Sequence, residues 1–344
     1  MTIINGIEID FISNNNNEIK NAILNNNPIE EKLNVIIVIS NPCQYARRYI
    51  LAKEFIKRME IEDNVELFIV ELIYDKQKFI ITDKNNKNHL QLKTATSPLW
   101  HKENMINIGI KKLLPKNWKA VAWIDADIEF ENTDWALNAL KVLNGSRDII
   151  QLFSHAIDMD MNEDAMSIFS SFGFQYSKNK KYSSGNSINF WHPGFAWACT
   201  RKTYDKIGGL FENSILGSGD HNMALSLIGK GDKSLNKDVN NDYLNNVLNF
   251  QNKIKNVRLG YVPGVIRHYY HGSKKNRKYH ERWQILVDNN YSPIKHITKD
   301  DNELLIPTEN CPKKLLDDIY NYFLERNEDE GLILRNYIID NKNV

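Results

Sequence analysis

The stretch AVAWIDADIEF, residues 120–130, decides the fold. Its first five residues form an apolar run too short for a helix, followed at once by Asp125 and Asp127 with one alanine between them. A short uninterrupted apolar run suits a strand buried on both faces of a parallel sheet. Working outward, a second run, VIIVIS at residues 35–40, is closed by Asn41-Pro42, and a third covers residues 65–73. Helical spacing fills the gaps between them. Residues 45–60 carry Ile50, Leu51, Phe55, Ile56 and Met59 on one stripe. Residues 102–114 carry Met105, Ile106, Ile110, Leu113 and Leu114 before Pro115 ends the pattern. Strand, helix, strand, helix, strand predicts the α/β class, with a mixed, mostly parallel sheet flanked by helices.

Further along, Thr133-Asp134 opens a helix over residues 135–143, and strands are expected at 149–153 and 195–200. Residues 154–194 are charged and rich in Ser and Gly, and read as a long surface loop. An amphipathic helix over 313–325 is expected to pack on the periphery as a helical C-terminal tail. The boundaries that follow are an Asn-rich extension at 1–32, one domain at 33–300 and the tail at 301–344.

Composition narrows the function classes. Among 344 residues, 44 Lys+Arg face 43 Asp+Glu, a formal charge of +1, which gives no basic surplus for a nucleic-acid partner. No apolar stretch reaches membrane-spanning length, and the first residues lack the basic start and apolar run of a signal peptide. A cytoplasmic protein is expected. Three cysteines, Cys43, Cys199 and Cys311, form no CxxC pair, so neither a disulfide framework nor a thiolate metal site is implied. The 45 asparagines carry no functional reading.

Two carboxylates at the carboxyl end of a central strand sit where open α/β sheets gather ligands. Like charges so close repel unless a cation lies between them, and hard oxygen ligands suit Mg²⁺ or Mn²⁺ beside phosphate oxygens. With VIIVISNP at 35–42 and HKENMINIGIKKLLP at 101–115, the stretch resembles a GT-A (Rossmann-like) glycosyltransferase. Asn107-Ile108-Gly109 is similar to a pattern of glycosyltransferase family 2-like sequences, and residues 195–226 look like a galactosyltransferase-type C-terminal segment. The resemblance covers roughly residues 33–290.

That resemblance implies a fold, a donor and a set of roles. Asp127 matches the second acid of the D-x-D that touches the metal, while Asp125 reaches the ribose or, through water, the same ion. Asp220, in Gly217-Ser218-Gly219-Asp220-His221, matches the general base of inverting members, with His221 as its competitor. A late histidine commonly completes the metal shell. His271, before Gly272, is the first choice and His268 the alternative, since three residues apart on an extended strand they face opposite ways. Asn41, Pro42, Lys102 and Asn107 are expected at the UDP- or GDP-sugar donor, with Trp100-His101 as a wall. Arg277, in the basic stretch 274–282, suits the diphosphate. For a carbohydrate acceptor, Trp191 and Trp197 offer stacking faces and His192 a directional partner. The expected activity is metal-dependent sugar transfer to a hydroxyl, with a nucleotidyltransferase or a non-catalytic carbohydrate-binding module as alternatives.

Overall fold

The computed structural model describes residues 17–183 and 189–332, together with the backbone of two short N-terminal strands, Ile3–Ile4 and Ile7–Glu8. Strands β1 (Leu33–Ser40), β2 (Val65–Tyr74), β3 (His89–Thr94) and β4 (Ala120–Ile124) run parallel. They belong to a seven-stranded sheet with β6 (Ile149–Gln151), β10 (Ala196–Thr200) and β11 (Leu259–Tyr261). The order is β11-β6-β10-β4-β1-β2-β3, and only β10 runs against its neighbours. The expected mixed, mostly parallel α/β sheet is the one observed.

Period-2 alternation explains why these strands are apolar throughout. Ile36, Val121, Trp123, Ile149 and Cys199 face one core, while Val35, Ile37, Ala122, Ile124, Ile150 and Ala198 face the other. Helix α1 (Asn17–Asn25), whose Ile19 is fully buried, packs on α4 (Trp135–Leu143). Helix α2 (Ala46–Glu60) follows β1, and α3 (Lys102–Leu113) lies across β1 and β2.

A second sheet, not anticipated, replaces the long loop expected at 154–194. Strands β5 (Ile128–Phe130), β7 (His155–Met159), β8 (Ala165–Ser171), β9 (Trp191–His192) and β12 (Val265–His268) pair in the order β9-β8-β7-β12-β5. Helix α5 (Phe172–Ser177) follows β8. The polar content that suggested a loop is buried instead: His155 and Asp158 are 2% exposed. Asp160 Oδ1 accepts from the Asn162 and Asp164 amides and so closes the turn between β7 and β8. Residues 184–188 of the expected loop lie outside the described residues.

Helices α6 (Arg201–Ile207), α7 (Gly219–Leu227) and α8 (Asn241–Ile254) cover the β10 side, followed by α9 (Arg282–Asp288) and α10 (Pro293–His296). Helix α11 (Lys313–Glu325) has the expected bounds but not the expected peripheral place. Its Leu315, Ile319, Tyr322 and Phe323 join the same core as Ile36 and Trp123. Among the described residues, no helix is long and apolar enough to cross a membrane.

Candidate active site

Residues 125–127 form the crossing between the two sheets. Strand β4 ends at Ile124 and β5 begins at Ile128, so Asp125-Ala126-Asp127 steps from one sheet to the other. The Asp125 amide donates to Phe195 O at 2.8 Å, and the Tyr269 amide donates to Asp127 O at 2.8 Å. Register pairs His268 with Ile128, which sets the end of β12 beside Asp127. A cleft of about 1080 Å³ opens here, at the carboxyl ends of β1 and β4.

At its centre, Asp127, His268 and His271 each turn one ligand atom to a common point, all within 4.8 Å of one another. His271 Nε2 lies 3.0 Å from Asp127 Oδ2 and 3.2 Å from His268 Nε2. The expectation that the two histidines face opposite ways is therefore corrected. Strand β12 stops at His268, and residues 269–271 leave the strand, so the alternation of an extended strand no longer holds at His271. Gly272, at φ +87°, comes next, and a Cβ there would come within 3.0 Å of the Arg326 and Asn327 carbonyl oxygens.

Behind each histidine stands a carboxylate. His268 Nδ1 lies 2.6 Å from Asp158 Oδ1, and Lys274 pairs with Oδ2 of the same carboxylate. His271 Nδ1 faces Glu328 Oε2 at 3.9 Å. Such partners fix ring orientation and turn Nε2 toward the common point. Burial alone would raise the Asp127 carboxyl, but His271, His268 and Arg277 overcome it and hold it below the usual carboxylate range. Asp127 Oδ1 is buried and accepts no hydrogen bond. A buried acceptor left unpaired beside two imidazole nitrogens is the condition a divalent cation relieves.

Asp125 does not join this group, because Lys102 pairs with it. Burial opposes the Lys102 charge, yet Asp125, Asp220 and Glu103 keep it above the ordinary lysine range. Both residues line the cleft, as do Asn41, Pro42, Trp100, His101, His192, Asp220, His221 and Arg277. The Asn41 side chain is spent locally on the Tyr45 amide and carbonyl. Arg277 Nη2 reaches His271 Nε2 at 2.7 Å.

Asp220 occupies the first turn of α7, where its Oδ1 accepts from the His221 amide at 2.7 Å. Its other oxygen lies against Gly194, where a Cβ would sit 2.7 Å away. His192 stacks on Phe195 at 4.2 Å, and burial pushes its imidazole down to about 3, which keeps it neutral. Burial likewise lowers His221.

Three expected residues are elsewhere. Asn107 faces away from the cleft, receiving the Leu210 amide and the Tyr204 hydroxyl and donating to Leu210 O, so it clamps the turn after α6. Trp197 is 1% exposed, with its indole N–H donating to Pro193 O, and Trp191 is 5% exposed against Phe172 and Tyr182. Both are core side chains, because β10 is covered on both faces and α5 covers β9. The aromatic rings that do line the cleft include Phe169, Tyr182, Phe190 and Trp283.

Sequence reasoning missed Asp158, Arg48, Arg326 and Glu328. Glu328 is 1% exposed and bonded to Arg48 Nη2 at 2.7 Å and Arg326 Nε at 2.6 Å. Asp158 was legible only as an acid inside the apolar run HAIDM.

Glu103, buried beneath Gly219, gives a pH prediction. Burial raises its carboxyl to about 8, with Asp220 adding and Lys102 opposing. The folded protein thus keeps a proton that the unfolded chain loses above the ordinary glutamate value of about 4.3. Stability is full below that value and falls as pH rises toward 8, by about 1.4 kcal/mol per unit. Glu103→Gln is expected to flatten this slope in urea midpoints taken between about pH 5 and pH 8.

No family model matches the chain, and no curated protein matches it. Among solved structures, a Drosophila β-1,4-galactosyltransferase 7 mutant with manganese, UDP-Gal and xylobiose aligns at 10% identity and TM-score 0.38, covering 84% of this chain and 98% of that one. A mannosyltransferase from Pyrobaculum calidifontis, in complex with GDP-Man and Mn²⁺, aligns at 12% identity and TM-score 0.39, covering 89% of this chain and 75% of that one.

Proposed function

We propose that this chain is a metal-dependent glycosyltransferase of the GT-A type, moving a sugar from a UDP- or GDP-sugar to a carbohydrate hydroxyl with inversion. The observation that carries the reading is the convergence of Asp127, His268 and His271 beside the cleft, with Asp127 Oδ1 buried and unpartnered. These three residues would hold the ion, and two imidazoles favour Mn²⁺ over Mg²⁺, which prefers oxygen-only shells. Bound there, it would supply positive charge to the departing diphosphate.

The chain's own groups do the rest. Arg277 offers forked donors to the same phosphates. Asp220 takes the acceptor proton as that oxygen attacks the anomeric carbon and the bond to the diphosphate breaks, releasing the nucleoside diphosphate. Neutral His192 gives the hydroxyl a hydrogen-bond partner, and Lys102 holds Asp125 in place at the cleft floor.

Calorimetry with UDP- and GDP-sugars tests the reading. Binding is expected only with Mn²⁺ present, and Asp127→Asn is expected to weaken Mn²⁺ binding at least about tenfold. No metal-dependent binding in either series would overturn the assignment, as would release of pyrophosphate in place of the nucleoside diphosphate.

A further inference from the structure

The charges that line the cleft can be matched one against another. Lys102 pairs with Asp125, Lys274 with Asp158, and Arg48 and Arg326 share Glu328. Arg277 and Arg282 remain, and neither forms an ion pair with a carboxylate among the described residues. Arg277 contacts His271 and, at 3.0 Å, the Tyr279 hydroxyl, while its Nε is buried without a partner. Its place beside a proposed metal ligand assigns it to the diphosphate.

Arg282 stands apart from that group. It is 9% exposed, donates to the Ser218 hydroxyl and to the Tyr322 hydroxyl at 3.2 Å, and lies over the Tyr279 ring at 5.3 Å. Ser218 precedes Asp220 by two residues, so this guanidinium sits at the base end of the cleft, where the sugars meet. Hydroxyl groups solvate a cation but do not neutralise it, and an unmatched buried charge is costly. Burial would raise the Tyr322 phenol, yet Arg326 and Arg282 bring it below its ordinary value.

We propose that Arg282 receives the carboxylate of a sugar acid bound at the base end of the cleft, on either the transferred sugar or the acceptor. A planar carboxylate matches the guanidinium fork, and a neutral hexose offers no such counter-charge. The proposal rests on the glycosyltransferase reading and names the substrate class for that same site.

The test measures dissociation constants with Mn²⁺ in two arms. The donor arm sets UDP-glucuronate against UDP-glucose and GDP-mannuronate against GDP-mannose. The acceptor arm sets a glucuronate-terminated oligosaccharide against its glucose-terminated counterpart, with UDP or GDP present. In one arm the acid is expected to bind at least about tenfold tighter than the neutral sugar. Arg282→Gln should bring that ratio near one while leaving the neutral ligand's affinity within about threefold, and Arg282→Lys should retain part of the preference. Equal binding of acid and neutral forms in both arms of the unaltered protein overturns the proposal and leaves the transferase reading intact. Absence of any nucleotide-sugar binding overturns both.

Discussion

Glu328→Gln is expected to destabilise the protein by about 3–5 kcal/mol, the usual effect of removing one partner from a buried ion pair. The carboxylate is 1% exposed and lies between Arg48 and Arg326, so an amide leaves two guanidinium groups without compensation. Burial opposes its ionisation, but Arg48 and Arg326 hold its carboxyl well below the ordinary range. A depressed acid contributes stability above its unfolded value, and that contribution is lost as pH falls toward its folded one. Urea midpoints should therefore drop strongly at neutral pH, and the variant should show less acid sensitivity than the parent. Because Glu328 also faces His271 Nδ1, Mn²⁺ affinity should fall about 10–100-fold as the ring loses its orienting partner. A variant with unchanged midpoint and unchanged affinity would show that the tail merely rests on the site.

Asp220→Asn is expected to lower turnover about 10²–10⁴-fold, the contribution of a positioned general base. The substitution separates the proposed base role of Asp220 from its contact with the His221 amide. Asn retains a side-chain oxygen for the His221 amide, so the start of α7 and the nucleotide affinity should be preserved while proton uptake is lost. His221→Gln is expected to have a small effect, since burial lowers that imidazole and makes it a poorer proton acceptor. Reversal of the two outcomes, with Asp220→Asn active and His221→Gln inactive, would transfer the base role to His221.

Much of the fold was legible because its strands are buried on both faces. Runs such as 35–39 and 120–124 have no polar residue to confuse them, and helices with a single apolar stripe, 102–113 and 135–143, announce their bounds. The second sheet escaped notice for the opposite reason. Its strands bury His155, Asp158 and His268, and that polarity imitates a loop. Asp127 and His271 were legible from local context, but their geometry was not. An extended-strand assumption separated His268 from His271, whereas the chain leaves the strand between them and passes close to residues 326–328 at Gly272. Asn107 and the two tryptophans show the converse error: residue types suited to sugar binding also suit a clamp and a core. Residues 326–330 look like a solvated tail until their partners on α2 and in the segment after β12 are known.

Asp329 accepts from the Ala46 and Arg47 amides at 2.9 Å each, and Glu330 Oε2 accepts from the Ser273 amide at 3.2 Å. The start of α2 and the segment after His271 are thus fastened by some of the last described residues. During synthesis the sheet, the cleft and both histidines emerge from the ribosome before the residues that brace them. A nascent chain carrying everything through residue 320 would hold the ligands yet lack Arg326, Glu328 and Glu330. In the order of synthesis, Asp127, His268 and His271 therefore precede the residues that brace them, and the contacts to the start of α2 form after the ligands are already in the chain.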